Sequence, residues 1–203
     1  MKIYLIRHGE TDQNKCKCLQ GRSDIELNEY GRELARKTAE GLKDIPFDII
    51  FTSPLKRARE TAEIIRGKRE IPIVLEERIQ EISFGEYEGL CYGKENYSIP
   101  DKDFMNFFNK PQDYKTPPGG ESLEEVITRT GEFLQEILQK EAYKDKNILL
   151  STHGCALKAC LANINGSLLA EFWGEGVHKN CAVSLIEVKE GKVVVTEDGK
   201  LYY

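Results

Sequence analysis

The chain has 203 residues, 40% of them hydrophobic, and carries 29 Lys and Arg against 34 Asp and Glu, for a formal net charge of -5. That length suits a single domain, 1–203, with a buried core, and the acidic balance argues against a nucleic-acid backbone as partner, so any anion site has to be local. No segment approaches 18 consecutive apolar residues and the N-terminus lacks a signal-peptide pattern, so no membrane partner is expected and the expected location is cytoplasmic.

In chain order, "KIYLI" (2–6), "DIIFT" (48–52), "IPIVL" (71–75) and "NILLS" (147–151) read as strands buried on both faces. Helical spacing lies between them. Leu27, Tyr30, Leu34, Thr38 and Leu42 keep a helical spacing opened by Asn28 as N-cap, and Leu55, Ala58, Ala62 and Ile65 follow Ser53-Pro54, a cap with Pro at the first helical position. The longest helical pattern runs from Ser122 to about Lys140, opened by a Ser122/Glu125 capping box. Near the C-terminus "AVSLIEV" and "KVVVTE" flank Glu190-Gly191 and read as an antiparallel edge hairpin. The alternation predicts an α/β fold, a three-layer α/β/α sandwich with a mostly parallel mixed sheet.

Residues 85–121 break this rhythm, with Tyr87, Tyr92, Tyr97, Phe104, Phe107, Phe108 and Tyr114 set among Gly, Pro, Asn and Asp. They read as an inserted cap that carries substrate contacts, or as a packed loop region with its own aromatic cluster. The six cysteines, Cys16, Cys18, Cys91, Cys155, Cys160 and Cys181, show no C-x-x-C pair or regular framework and read as free thiols.

Two strands end alike, "IYLIRHG" at Arg7, His8 and Gly9 and "NILLSTHG" at His153 and Gly154. Parallel strands of one open sheet bring such ends to one edge, where α/β proteins place ligand sites. A third strand leads to "SPLKRARETA", with Lys56, Arg57 and Arg59 in the first two turns of a helix, where the dipole disfavours cations. A bound anion between that N-terminus and Arg57 would offset the penalty, whereas Lys56 and Arg59 read as solvated.

Two arginines and two histidines around one point describe a phosphoryl pocket. A neutral imidazole can attack phosphorus if its other nitrogen donates to a backbone carbonyl, and Gly9 permits close backbone approach. No dense Asp/His cluster suggests a metal, so no metal or cofactor is expected. "RIQEISFGEYEG" offers Glu81, Glu86 and Glu88 as the acid that protonates a departing oxygen; Glu81 reads as half buried, the others as solvated, and spacing does not decide between them.

"RHGET" with Asn14, "QGRSDIELNEYG", "SPLKRARETA", "EISFGEYEG", "PGGES" and "STHG" stand in an order that resembles the histidine phosphatase superfamily, the phosphoglycerate mutase-like group. The resemblance implies that His8 is phosphorylated, that Arg7, Asn14, Arg57 and His153 bind the phosphoryl oxygens, and that Glu81 serves as acid and then base. His178 falls in no such motif and reads as structural. Cys155 stands where the family commonly has a second Gly, Lys158 where an Arg often follows, and Asn28 where a Thr usually caps.

The expected function is metal-independent hydrolysis of a small phosphomonoester, alpha-ribazole phosphate among the candidates. A phosphoglycerate mutase, a sugar bisphosphatase and an inactive phosphate-binding module are the alternatives. The compact aromatic cap suits a ring-bearing monoester better than a triose acid, and the sequence does not define an oligomeric state.

Overall fold

The computed structural model describes residues 1–189 and 191–203. Six strands, β1 (Lys2–Arg7), β2 (Ile49–Thr52), β3 (Ile73–Leu75), β4 (Asn147–Thr152), β5 (Val183–Lys189) and β6 (Lys192–Lys200), form one sheet ordered β3-β2-β4-β1-β5-β6. The first four are parallel, with Arg7 paired to Thr152, while β5 and β6 run antiparallel at one edge. The β5–β6 hairpin matches the sequence pattern, although Glu190 of its turn lies outside the described residues. The sheet is covered by helices, as in an α/β sandwich.

Helices α2 (Glu29–Gly41) and α3 (Lys56–Arg66) pack together against one face, in a core with Tyr4, Ile6, Ile50 and Leu149. On the other face, α5 (Leu123–Gln139) and α6 (Gly154–Asn165) bury Leu134, Ile137, Leu157 and Leu161 against Ile3, Leu5, Ile148 and Leu150. Asn28 caps α2 through Gly31 N–H, and the Ser122/Glu125 capping box opens α5. Two short helices, α1 (Asp12–Cys16) and α4 (Asn106–Asn109), lie in the connections.

Three expectations are corrected. β3 is not buried on both faces: it is an edge strand of three residues, with Val74 and Leu75 40% and 54% exposed. Ser53 does not cap α3, which starts at Lys56 with Leu55 at the cap position and no side-chain cap bond. Nor are all six cysteines free, because Cys18 and Cys91 form a disulfide.

These two cysteines face each other across an antiparallel bridge flanked by Leu19 N–H to the Leu90 carbonyl (2.8 Å) and Tyr92 N–H to the Lys17 carbonyl (2.9 Å). That arrangement is a non-hydrogen-bonded pair, the position in a ladder where side chains come closest. A crosslink spanning a sequence separation of 73 restricts the unfolded chain and is worth about 2–4 kcal/mol. Replacing both cysteines with alanine is therefore expected to lower Tm by roughly 4–16 °C in a chain of this size. Scanning calorimetry checks this: thiol reduction should have the same effect in the parent protein and none in the variant.

Candidate active site

The parallel pairing of β1 and β4 sets His8 and His153 at one sheet edge, their ring centroids 5.2 Å apart and both rings buried. His8 N–H donates to the Thr152 carbonyl (2.9 Å), which ties the two strand ends together. The His8 Nδ1 lies 2.6 Å from the Gly9 carbonyl. A carbonyl only accepts, so Nδ1 carries the proton and Nε2 keeps its lone pair. Burial, then Arg57 and Arg7, hold His8 well below the usual imidazole range, so the ring is neutral at pH 7.

His153 is held low as well, by burial first, then Arg57 and His8. Its Nε2 lies 2.7 Å from Ser53 Oγ, and its Nδ1 has no partner. Ser53, expected as a helix cap, thus orients this ring. Gly9 does provide a close approach, but to α2: a Cβ there would sit 2.6 Å from the Gly31 carbonyl oxygen.

Arg57, fully buried, donates through Nη1 to the Ser23 carbonyl (2.8 Å) and Nη2 to the Gly21 carbonyl (2.7 Å), leaving Nε unpartnered. Burial pulls it down to about 10, so it remains charged at neutral pH. At the N-terminus of α3, Lys56 N–H already donates to an internal carboxylate, Asp24 (2.7 Å). Arg7 is lowered by burial and opposed by Glu81, donates through Nη1 to the His178 carbonyl, and leaves Nε free. Two guanidiniums with unused donors, Arg57 buried and Arg7 half-buried, line the cleft that holds His8.

Asn14 also lines it, its side chain shared between the Thr11 capping box and Asn180. Glu81 is half buried, as expected, and its carboxylate accepts from the backbone of Cys155 (3.1 and 3.2 Å) and Ala156 (3.2 Å) at the N-terminus of α6, and from Ile82 (3.0 Å). All six residues singled out from sequence therefore border one cleft or, for His153, sit directly behind it.

Glu88 is not the solvated carboxylate expected. It accepts from Arg22 N–H (2.9 Å), Ser23 Oγ–H (2.8 Å) and Phe84 N–H (3.2 Å), and so fixes the loop whose carbonyls hold Arg57. Gly21 must lack a side chain there, since its φ is +50° and a Cβ would fall 2.2 Å from Glu88 Oε1. Arg129, missed from sequence, binds Glu121 of "PGGES" and donates to the carbonyls of Arg78, Gln80 and Glu81, setting the segment that presents Glu81.

Within residues 85–121, Phe104 and Phe107 join Phe84 in a buried cluster, while Tyr92, Phe107 and Phe108 face the cleft with Trp173. Phe107 and Trp173 meet edge to face at 5.0 Å. Among the described residues lining the cleft, the charged side chains are Arg7, Arg57 and Glu81.

The pattern of the histidine phosphatase superfamily (branch 1) matches residues 3–198. "Uncharacterized phosphatase PhoE" of Bacillus subtilis is 39% identical over 164 residues, 81% of this chain and 77% of that protein. Phosphoserine phosphatase 1 of Hydrogenobacter thermophilus is 30% identical over 195 residues, 96% of this chain and 90% of that protein. Among solved structures, Bacillus stearothermophilus YhfR superposes with a TM-score of 0.89 at 34% identity, covering 98% of this chain and 97% of that one.

Proposed function

Since the chain belongs to the histidine phosphatase superfamily, we propose that it hydrolyses phosphomonoesters without a metal, through a phosphohistidine at His8. The observation that carries this reading is the His8 ring itself. It is buried and neutral, with Nδ1–H committed to the Gly9 carbonyl and the Nε2 lone pair free, beside two guanidiniums that keep donors unused.

In the proposed reaction Arg7, Arg57, Asn14 and His153 hold the phosphoryl oxygens, and the arginines neutralise the charge that a metal would otherwise meet. His8 Nε2 forms a bond to phosphorus as the bond to the ester oxygen breaks, and Glu81 gives that oxygen its proton. Water then loses a proton to Glu81 and attacks the phosphohistidine, releasing phosphate and restoring His8.

The proposed substrates carry an uncharged, ring-bearing leaving group, alpha-ribazole phosphate being one candidate. The walls support this: Tyr92, Phe107, Phe108 and Trp173 offer apolar faces, and among the described residues lining the cleft the cations are Arg7 and Arg57, both assigned to the phosphoryl group. That assignment also counts against a mutase of phosphoglycerates. Burying a ring contributes about 1.5–3 kcal/mol, so kcat/KM for aryl and naphthyl phosphates is expected to exceed that for phosphoserine or 3-phosphoglycerate by about 10–100-fold.

Steady-state assays in EDTA, on a panel including 4-nitrophenyl phosphate, alpha-ribazole phosphate and both phosphoglycerates, test it. A preference for the carboxylates would overturn the substrate class. Absence of turnover on every ester would overturn the hydrolase in favour of a phosphate-binding module.

A further inference from the structure

The third histidine, His178, lies outside every motif discussed above, and the structure ties it to Arg7. Its backbone carbonyl accepts the Arg7 Nη1 donor. That acceptor follows a connection with positive-φ glycines, Gly174 (+51°) and Gly176 (+103°), whose N–H groups close turns on the Glu171 and Trp173 carbonyls. The His178 carbonyl aims the guanidinium only if its own residue is held in place.

The His178 ring supplies the anchor. Its side chain is only 6% exposed, and Nε2 lies 2.6 Å from Asp198 Oδ1 on β6. Asp198 Oδ1 also accepts from Ser184 Oγ (2.7 Å), and Ser184 Oγ accepts from Gly199 N–H (3.0 Å). The space for the ring comes from Gly199, where a Cβ would fall 2.7 Å from His178 Cδ2. Burial and nearby Lys158 hold the ring low against the opposing Asp198 bond, so it is neutral. It donates through Nε2–H to Asp198, and Nδ1 has no partner. Two residues on, Asn180 Nδ2 donates to the His8 carbonyl (2.9 Å), so the same segment grips both residues at the end of β1.

We infer that His178, anchored by Asp198, is a positioning residue for Arg7. This rests on the proposed role of Arg7 in holding the phosphoryl group. Losing the ring leaves the carbonyl in place chemically but frees its direction, so Arg7 samples orientations that do not meet the phosphoryl oxygens.

Trp173, the single tryptophan, lines the cleft, so its fluorescence is the readout chosen for binding. His178→Ala is expected to weaken orthovanadate binding by about tenfold or more and lower kcat/KM for 4-nitrophenyl phosphate by a similar factor. Asp198→Ala should reproduce both effects, whereas His178→Gln, whose amide can still donate to Asp198, should recover most of the loss. The deciding comparison is the double-mutant cycle: in an Arg7→Ala background, His178→Ala should change neither quantity by more than about twofold. Full additivity in that cycle, or parent-like vanadate binding in His178→Ala, overturns the inference. Should His178→Ala fail to fold by circular dichroism, the cycle is run with Asp198→Ala, whose side chain is half exposed. Because vanadate binding needs no turnover, failure of the hydrolase reading shows separately, as an inactive parent enzyme.

Discussion

Replacing His8 with alanine is expected to lower kcat for 4-nitrophenyl phosphate by at least about 10⁴-fold, because the proposed route has no nucleophile without it. Phosphate binding should survive: Arg7 and Arg57 keep their anchors on the His178, Gly21 and Ser23 carbonyls, none of which involves the imidazole. The variant should therefore bind orthovanadate within about tenfold of the parent while turning over almost nothing. Rapid-quench labelling supplies the second measurement. The parent should form an acid-labile, base-stable phosphoenzyme, and His8→Ala should form none. His153→Ala should still be labelled, with a smaller loss of about 10²–10³-fold, since on the proposed route that ring holds the phosphoryl group without forming a bond to it. Retention of activity within tenfold in His8→Ala, or label found on His153, would overturn the assignment of the nucleophile.

Which of the two histidines is placed to attack is invisible in the two strand ends, which look alike in sequence. The difference lies in their partners. His8 Nδ1 meets a carbonyl, which can only accept and so fixes the tautomer; His153 Nε2 meets the Ser53 hydroxyl, which can donate or accept and fixes nothing by itself. Strand, helix and cap positions were legible because apolar period and capping residues are local signals: β1, β4 and the Ser122/Glu125 box stand as read. The supports of the cleft were not, because backbone carbonyls carry no side-chain signature. Nothing in "QGRS" announces that the Gly21 and Ser23 carbonyls hold Arg57, or that Glu88 folds back onto them.

The disulfide escaped for a related reason. Cys18 and Cys91 belong to irregular segments whose pairing depends on the cap crossing over the β1–α2 connection, a contact with no periodic trace in either stretch. "IPIVL" erred the opposite way: its composition is that of a buried strand, but sheet order leaves β3 with one neighbour only, and two of its three residues stay exposed. Composition reports what a strand can bury; topology decides what covers it.

Glu81→Gln separates proton transfer from phosphoryl binding, and the separation depends on the leaving group. Glutamine is nearly isosteric, and its Oε1 can still accept from Cys155 and Ala156 N–H, so the segment held by Arg129 should not move. What disappears is the proton. An alkyl phosphate must leave as an alcohol and needs that proton in the transition state, so kcat/KM is expected to fall by about 10²–10⁴-fold. 4-Nitrophenyl phosphate leaves as a stabilised phenolate and should lose only about tenfold or less in the phosphorylation step. The second half-reaction is then exposed, because water attacking phospho-His8 has lost its base whatever the first leaving group was. With the aryl ester, Glu81→Gln should therefore show a burst of one nitrophenolate per protein followed by slow turnover, with the phosphoenzyme accumulating. Equal losses across alkyl and aryl esters with no burst would mean that Glu81 moves no proton and only shapes the cleft. A burst confined to the aryl ester ties acid and base to one carboxylate, held where the first turn of α6 meets the strand end that carries His153.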